Sequence, residues 1–377
     1  MRRVDGDVGG RARPEPSTAV HGYVPALDGI RAVAAVIVVA FHARIGFVNG
    51  DLGVDVFFVL SGFLITGILL RSGSNGHMNY AAFYRRRALR LLPAYFAVLV
   101  VSVVSDRIWD AGGTLKGAFF SFFYVSNWAA AAGIGMGLMA HTWSLAIEEQ
   151  FYLLWPLTLM ATLRWARGRR GATTGAVAAL LVGANISVLV CWLAGASVSF
   201  TWNSTLSRST ELLAGGLLAL IVSYWWQPGG SRTSARAIGA SGIGALVALC
   251  VVGNIDVVNP WVEILLQWPL VTVLTVTLIV ACISSATNPA QRLLATRPLV
   301  STGKVSYGLY LWHFPVFVLL DSIVGLEYWW PRLLGLVITA VLTTASYRYI
   351  EQPFLRMKQR VPVLHAVRAA TDADGAR

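Results

Sequence analysis

The sequence predicts an all-α, polytopic integral membrane protein with about ten transmembrane helices. Of its 377 residues, 56% are hydrophobic and only 13% are charged, whereas charged residues make up about a quarter of a typical soluble domain. Long apolar runs recur along the chain, and each is long enough to cross a bilayer as a helix. The net charge of +12 is therefore interpreted by its position relative to a membrane, and it does not indicate nucleic-acid binding.

Ten apolar runs predict the ten spans. In chain order they lie near residues 26–46, 52–71, 91–106, 141–163, 174–196, 207–226, 236–253, 263–285, 304–323 and 332–350. The aromatic stretch 114–128 is ambiguous. If it also spanned, the four arginines of the segment 164–170 would face outward and break the positive-inside rule. We therefore expect this stretch to lie at the membrane interface or to re-enter the membrane.

The basic residues predict that both termini are cytoplasmic. In the ten-helix topology about 23 of the 30 Lys and Arg residues lie on the inner side, as the positive-inside rule requires. Residues 1–24 contain no apolar run, so we expect a disordered cytoplasmic tail and not a signal peptide. Residues 25–355 form the predicted membrane domain, and residues 356–377 a basic cytoplasmic tail. The expected location is the inner or plasma membrane.

The first predicted helix carries Arg31 and His42 on one face. Eleven residues at 100° each end about 20° past three full turns, and the two side chains stand roughly 16 Å apart in depth. An arginine near the membrane centre costs roughly 2.5–3.5 kcal/mol or more. The residues on the face between them are small: Ala34, Ala35 and Val38. This spacing favours a cation and a titratable base at two depths of one slender passage.

Structural alternatives stay open for both residues. Arg31 can extend toward the membrane surface and pair with Asp28 one turn earlier. His42 can be a core histidine bonded to a neighbouring carbonyl. Because both lie on one face within lipid, the functional interpretation is favoured.

The next two runs add a carboxylate and a pair of arginines. Asp55 lies at the outer end of the second helix, where we expect it to pair with a cation or a histidine. Arg87 and Arg90, three residues apart just before a membrane helix, have the geometry to bind a phosphorylated cofactor. The alternative is that these arginines obey the positive-inside rule or bind anionic lipid.

Later runs carry two more histidines. His141 and Glu148 are seven residues apart and share a helix face at the depth of His42; the alternative for Glu148 is a helix N-terminal cap. Arg208 and Glu211 are expected to form a structural ion pair. The helix near residues 304–323 places Tyr307 and His313 beside a proline kink, and an aromatic core is an equally open interpretation.

Several common sites are excluded. The three cysteines lie in apolar stretches at unrelated spacings and are interpreted as small core residues. We therefore predict no metal site. The sequence contains no P-loop and no Gly-x-Ser-x-Gly turn.

Taken together, the runs resemble the acyltransferase-3 family of integral-membrane O-acyltransferases. The matching stretches are Leu27–Arg31 with His42, Gly53–Thr66, Arg87–Arg90, Trp143–Leu145 with Glu148–Tyr152, Ser306–Pro315 and Glu351–Phe354. They occur in order and cover residues from about 25 to 355.

The resemblance implies transfer of an acyl group, often acetyl, from cytoplasmic acyl-coenzyme A to a hydroxyl. Acyl-coenzyme A is then the donor substrate, and no permanently bound cofactor is expected. In the family the Arg and His of the first helix are tied to activity, which corresponds here to Arg31 and His42. The chain is expected to be a stand-alone form without an extracellular hydrolase-like domain. The expected acceptor is a sugar hydroxyl of an envelope polysaccharide, a glycolipid or a glycosylated metabolite.

These inferences combine into one hypothesis. The coenzyme A head lies near Arg87, Arg90 and Arg31, and its narrow arm passes the small residues of the first helix. His42 acts as the general base, and Glu148 or Asp55 orients its imidazole. The predicted acceptor contacts are His141, Tyr307 and His313.

A transporter of an acylated metabolite or small sugar is the main alternative, because in-membrane Arg, His and Glu also suit proton-coupled transport. The sequence shows no repeat between its halves and no paired broken helices, which disfavours a transporter. Release of free thiol from acetyl-coenzyme A distinguishes the two functions.

Overall fold

The computed structural model describes residues 23–73, 80–109, 112–226, 232–284 and 288–359. Within these ranges the chain forms helices joined by turns and contains no strand, which confirms the predicted all-α class. Most of the two predicted tails, residues 1–22 and 360–377, lies outside the described residues.

The helices are numbered in chain order. The first ten are α1 (Pro25–His42), α2 (Asp51–Gly73), α3 (Tyr80–Trp109), α4 (Thr114–Phe122), α5 (Ser126–Ala131), α6 (Thr142–Trp165), α7 (Arg170–Leu193), α8 (Val198–Asn203), α9 (Thr205–Trp225) and α10 (Arg232–Val252). They are followed by α11 (Pro260–Val262), α12 (Trp268–Ile283), α13 (Pro289–Leu294), α14 (Arg297–Lys304), α15 (Ser306–Val324), α16 (Trp329–Ala345) and α17 (Gln352–Gln359). The π-helical turns Glu263–Gln267 and Ser346–Glu351 join α11 to α12 and α16 to α17.

Nine helical segments of the described chain are long and apolar enough to cross a membrane. They correspond to nine of the ten predicted spans. The remaining predicted span, 141–163, forms α6, whose 24 residues rise about 36 Å; it contains Glu148 and Glu149 and is not among the nine. The ambiguous stretch 114–128 forms the short helices α4 and α5, which do not cross a membrane as single helices.

Among the helix boundaries that differ from the prediction, two have a clear physical reason. α1 ends at His42 instead of residue 46, because Arg44 and Gly46 adopt left-handed backbone angles, with φ of 54° and 81°. α3 begins at Tyr80 instead of residue 91. Its first turns are charged and so lie outside the apolar run, but Arg, Ala and Leu are good helix formers.

The outward faces of several helices expose large apolar side chains. Val100 of α3 is 59% exposed, Leu157 of α6 59% and Leu193 of α7 70%. Such surfaces are stable against lipid tails and not against water. The protein therefore presents the lipid-facing surface expected of a multi-pass membrane protein.

The centre of the fold is α2, which packs against α9 at backbone contact. A Cβ atom on Gly62 would lie 1.9 Å from the carbonyl oxygen of Leu212, and one on Gly215 would lie 1.9 Å from that of Val59. Small residues permit such close approach of membrane helices. The two glycines therefore set the distance between α2 and α9.

Replacing Gly62 with alanine is expected to destabilise the protein by about 1–3 kcal/mol, because the added methyl group forces the two backbones apart. The measurement is the thermal unfolding midpoint of the purified protein in detergent. Gly183→Ala on α7 is the matched control, since nothing lies within 4 Å of its added Cβ atom. Equal midpoints for the two variants would contradict the backbone contact.

Candidate functional site

A cavity of about 500 Å³ runs along one face of α2. Its lining on α2 extends from Ile68 to Val54, two positions that are fourteen residues apart and so differ by about 21 Å along the helix axis. Side chains of α1, α3, α6 and α15 complete the walls. The cavity is therefore elongated along the direction in which the helices cross the membrane.

One end of the cavity, here called the basic end, is formed by Tyr23, Arg31, Arg90 and Lys304. Tyr23 is 65% exposed, and Arg90 and Lys304 are also exposed, so the cavity opens here. Within the described residues Arg31 and Arg90 form no ion pair or hydrogen bond, and their like charges lie close enough to interact unfavourably. Asp28 and Glu351 also line the cavity and interact electrostatically with Arg90, but neither carboxylate forms an ion pair with Arg31 or Arg90 among the described residues.

Asp28 does not neutralise Arg31. Its Oδ2 accepts a hydrogen bond of 2.6 Å from the Tyr23 hydroxyl. This bond to a carboxylate raises the pKa of Tyr23 to about 12. The alternative of an Arg31–Asp28 pair is thus not what the structure contains.

Arg87 also lines the cavity, so all three predicted cofactor-binding arginines lie in the wall of the same cavity. Arg87, however, already has a partner. Its Nε and Nη2 donate to the Glu149 carboxylate, the shortest bond measuring 2.6 Å, and its guanidinium stacks on Tyr152 at 3.3 Å from the ring centroid. Arg31 and Arg90 are therefore freer than Arg87 to bind an anion.

The middle of the cavity is polar. Ser61 of α2 donates a hydrogen bond of 2.6 Å to Oε1 of Glu148, and both residues line the cavity. Tyr307 lines it as well and donates to the carbonyl oxygen of Leu91 at 3.1 Å. Glu148 and Tyr307 are thus grouped with the predicted cofactor-binding arginines.

The opposite end, here called the aromatic end, is formed by Val54, Phe57, Phe58, Ser144, Leu145 and Tyr310. All except Phe57 are buried. The Tyr310 hydroxyl lies 2.6 Å from the Ser144 hydroxyl and 2.9 Å from the His141 carbonyl oxygen. The Ser144 hydroxyl also lies 3.3 Å from that carbonyl oxygen. The two hydroxyls and the carbonyl therefore form one closed hydrogen-bonded group, in which either hydroxyl can donate to the other.

Beyond Tyr310 lies the histidine cluster of His42, His141 and His313. The His313 ring is 5.0 Å from the His42 ring and 5.9 Å from the His141 ring between centroids. The Tyr310 ring lies 5.4 Å from His313 and 5.7 Å from His141. His42 does not line the cavity; it contacts His313, which contacts the lining residue Tyr310.

Backbone hydrogen bonds fix the state of two of these imidazoles. Nδ1 of His42 lies 2.9 Å from the Val38 carbonyl oxygen, and Nδ1 of His313 lies 3.1 Å from that of Leu309. Because a carbonyl only accepts, each Nδ1 carries the hydrogen, and each Nε2 keeps a lone pair in the neutral ring. Among the described residues, Nε2 of His313 and both ring nitrogens of His141 are buried and have no hydrogen-bond partner.

No metal site explains this cluster, since no group of three or more His, Cys, Asp or Glu among the described residues is placed to hold an ion. The arrangement instead supplies lone pairs and buried polar atoms next to the end of a cavity. Chemically, it can accept a proton and bind a hydroxyl group.

Two contacts expected for the predicted site are not found among the described residues, and the roles of the residues concerned stay predictions. The carbonyl of Val38 orients the His42 ring, whereas Glu148 bonds to Ser61 and Asp55 bonds to Arg208. The small residues of α1 do not line the cavity. Ala34 is buried against α2, where a Cβ atom on Gly53 would lie 2.4 Å from its carbonyl oxygen.

Asp55 belongs to a buried ion cluster with Arg208 and Glu211. Arg208, which is 0% exposed, bonds to Asp55 through Nη2 and lies 3.1 Å from Glu211 through Nη1. Its guanidinium also lies 4.1 Å from the Trp268 ring centroid. The predictions that Asp55 pairs with a cation and that Arg208 pairs with Glu211 are confirmed.

Sequence reasoning missed Asp51, at the first residue of α2. Asp51 is close enough to both His42 and Arg208 for electrostatic interaction. The one signal in the sequence was its position four residues before Asp55, which places both carboxylates on one helix face.

Comparison with known proteins identifies the family of the chain. The sequence profile described as acyltransferase domain matches residues 24–348. The chain is 34% identical over 357 residues to the putative peptidoglycan O-acetyltransferase YrhL of Bacillus subtilis, covering 89% of this chain and 55% of that protein. It is 32% identical over 348 residues to the peptidoglycan O-acetyltransferase OatA of Listeria monocytogenes, covering 88% and 56%.

A further relative is the O-acetyltransferase OatA of Staphylococcus aureus, which is 31% identical over 357 residues, with coverage of 88% and 57%. The chain thus spans about half the length of the curated relatives it matches. No solved structure matches it.

Proposed function

Because the chain belongs to the acyltransferase-3 family, we propose that it is a cell-membrane O-acyltransferase that moves an acyl group from acyl-coenzyme A to a hydroxyl of a cell-wall polysaccharide. The acceptor class follows the names of the relatives, one of which is named a putative peptidoglycan O-acetyltransferase and another a peptidoglycan O-acetyltransferase. One observation carries the proposal. A cavity begins at two arginines that form no ion pair or hydrogen bond among the described residues, and it ends near a histidine cluster whose member His42 has a lone pair on Nε2.

The chemistry of the donor matches the two ends of the cavity. Coenzyme A has phosphates at one end and the thioester at the other. The basic end offers Arg31, Arg90 and Lys304 to the phosphates, and a phosphate between the two arginines replaces their mutual repulsion with charge-assisted hydrogen bonds. In the proposed topology this end faces the cytoplasm, where the donor is available.

The acceptor reacts on the other side of Tyr310. The hydroxyl oxygen of the sugar attacks the thioester carbonyl as Nε2 of His42 takes its proton, and coenzyme A leaves as the thiolate. The bond from Nδ1 of His42 to Val38 holds the ring in the tautomer needed for this step. His42 is connected to the lining of the cavity by contacts through His313 and Tyr310, and in this proposal the Tyr310 side chain swings aside when the acceptor enters.

Replacing Arg31 or Arg90 with alanine is expected to raise the KM for acyl-coenzyme A by about 10–100-fold, the effect of losing a hydrogen bond between charged groups. The measurement is thiol release by the purified protein at varied donor concentration. Arg85→Ala is the matched control, because Arg85 is exposed on the same helix and does not line the cavity. An unchanged KM in both test variants would contradict the donor site.

The decisive experiment combines purified protein, acetyl-coenzyme A and peptidoglycan fragments. We expect release of free thiol that depends on the fragments, with acetyl ester on the glycan by mass spectrometry. Movement of a solute across vesicles without thiol release would instead support a transporter. The buried aromatic end disfavours that alternative, because the cavity does not continue past it in this state.

A further inference from the structure

We infer that the aromatic end is the pocket for the acyl chain, and that Phe57 limits this chain to a short one such as acetyl. This inference rests on the proposed function, since it concerns the thioester end of the same donor. It names a specificity-determining residue and the length class of the donor.

The composition of the aromatic end fits an apolar chain. Val54, Phe58 and Leu145 are 3%, 1% and 9% exposed, and none of the six lining side chains carries a charge. The two hydroxyls present, of Ser144 and Tyr310, are already bonded to each other and to the His141 carbonyl. A polar acyl group would therefore find no free partner there, whereas a hydrocarbon chain loses nothing.

Residues outside the cavity pack against the side chains that form the aromatic end. The Phe58 ring lies 5.2 Å from the Arg208 guanidinium, at the buried ion cluster, and 6.3 Å from the Trp143 ring. Tyr310 is held by its two hydrogen bonds. Before the acceptor enters and moves Tyr310, these contacts hold the wall in place against a longer acyl chain, because close-packed interiors accommodate added atoms poorly.

Phe57 is the one half-buried member of the aromatic end, so its ring forms the inner surface of the cavity. It meets the Tyr310 ring edge-on, with centroids 6.3 Å apart at 73°. Truncating Phe57 leaves both the ion cluster and the Tyr310 hydrogen bonds in place. Its ring is therefore the element that sets the depth of the pocket.

Chain length also decides where the thioester lies. With an acetyl group, the methyl fills the aromatic end and the carbonyl carbon stands next to Tyr310. Each further methylene moves that carbon toward the basic end and away from the histidine cluster. A longer acyl group therefore fits the pocket less well, and its thioester carbonyl carbon lies farther from His42.

The test compares acetyl-, butyryl- and hexanoyl-coenzyme A as donors for the full chain in detergent. We expect the wild type to prefer acetyl over butyryl by at least about 10-fold in kcat/KM, since one methylene in a close-fitting pocket changes discrimination by about 10–200-fold. Phe57→Ala is expected to shift the butyryl-to-acetyl ratio upward by about 10-fold or more. Phe57→Leu is expected to shift it in the same direction by less, and it serves if the alanine variant does not fold.

Phe122→Ala is the matched control, because Phe122 is 52% exposed on α4 and outside the cavity; the ratio should keep its wild-type value. An unchanged ratio in both Phe57 variants, or equal use of hexanoyl and acetyl donors by the wild type, would overturn the acyl pocket. Binding of each donor is measured in parallel by the shift in thermal midpoint. A wild type that neither binds acetyl-coenzyme A nor releases thiol from it would overturn the proposed function itself, and the acyl pocket with it.

Discussion

Replacing His42 with asparagine is expected to lower the rate of acyl transfer by about 10²–10⁴-fold, the usual contribution of a general base. The amide nitrogen of asparagine can still donate to the Val38 carbonyl, as Nδ1 does now at 2.9 Å. It offers nothing at the position of Nε2. The variant therefore removes the proton acceptor and keeps the bond that anchors the end of α1. The measurement is the initial rate of thiol release with saturating donor.

Two controls accompany this variant. Its thermal midpoint should stay close to that of the wild type, because His42 is half-buried and its backbone bond is retained. Its affinity for acetyl-coenzyme A should also be unchanged, since His42 does not line the cavity. A variant with near wild-type transfer rates would rule out His42 as the base.

Replacing Arg208 with methionine is expected to destabilise the protein by about 3–5 kcal/mol. The side chain is fully buried between two carboxylates, and without it Asp55 and Glu211 keep buried charges that have lost their partner. Methionine fills much of the same volume, so the effect reports charge more than a cavity. The measurement is the free energy of unfolding in detergent.

The matched control is Arg44→Met. Arg44 pairs with Asp321 at 2.8 Å, but the two side chains are 48% and 39% exposed, and such surface pairs contribute about 0–1 kcal/mol. Combining Arg208→Met with Asp55→Asn and Glu211→Gln should recover part of the lost stability, because no buried charge is then unpaired. Equal losses for the two single methionine variants would show that burial of the ion cluster has no special effect.

The sequence predicted the helices well, for a physical reason. A membrane helix must satisfy its own backbone and be apolar over about 20 residues, so apolar runs locate it within a few residues. Apolar runs did not identify the helical segments that are polar. The charged start of α3 from Tyr80 and the short helices α13 and α14 contain too few apolar residues to be recognised in this way.

The site was predictable in its membership and less so in its contacts. Arg31, Arg87, Arg90 and Glu148 do line one cavity, and the histidines predicted to act together do cluster. Helical spacing could not reveal which neighbouring helix each side chain meets, and so it assigned Glu148 to His42. The partner of Glu148 is decided by the packing of α2 against α6, where the Ser61 hydroxyl donates a hydrogen bond to the Glu148 carboxylate. The catalytic and binding roles of these residues stay predictions.

The wall made by the aromatic end has a consequence for the permeability of the membrane that the protein spans. It separates an opening at the basic end from the histidine cluster by buried rings and a pair of mutually bonded hydroxyls. Ions and water that enter the opening reach the aromatic end, and the described residues leave them no continuous aqueous path beyond it. If Tyr310 swings aside only when the cavity and the acceptor side are both occupied, a chemical group crosses the wall while the proton gradient is kept.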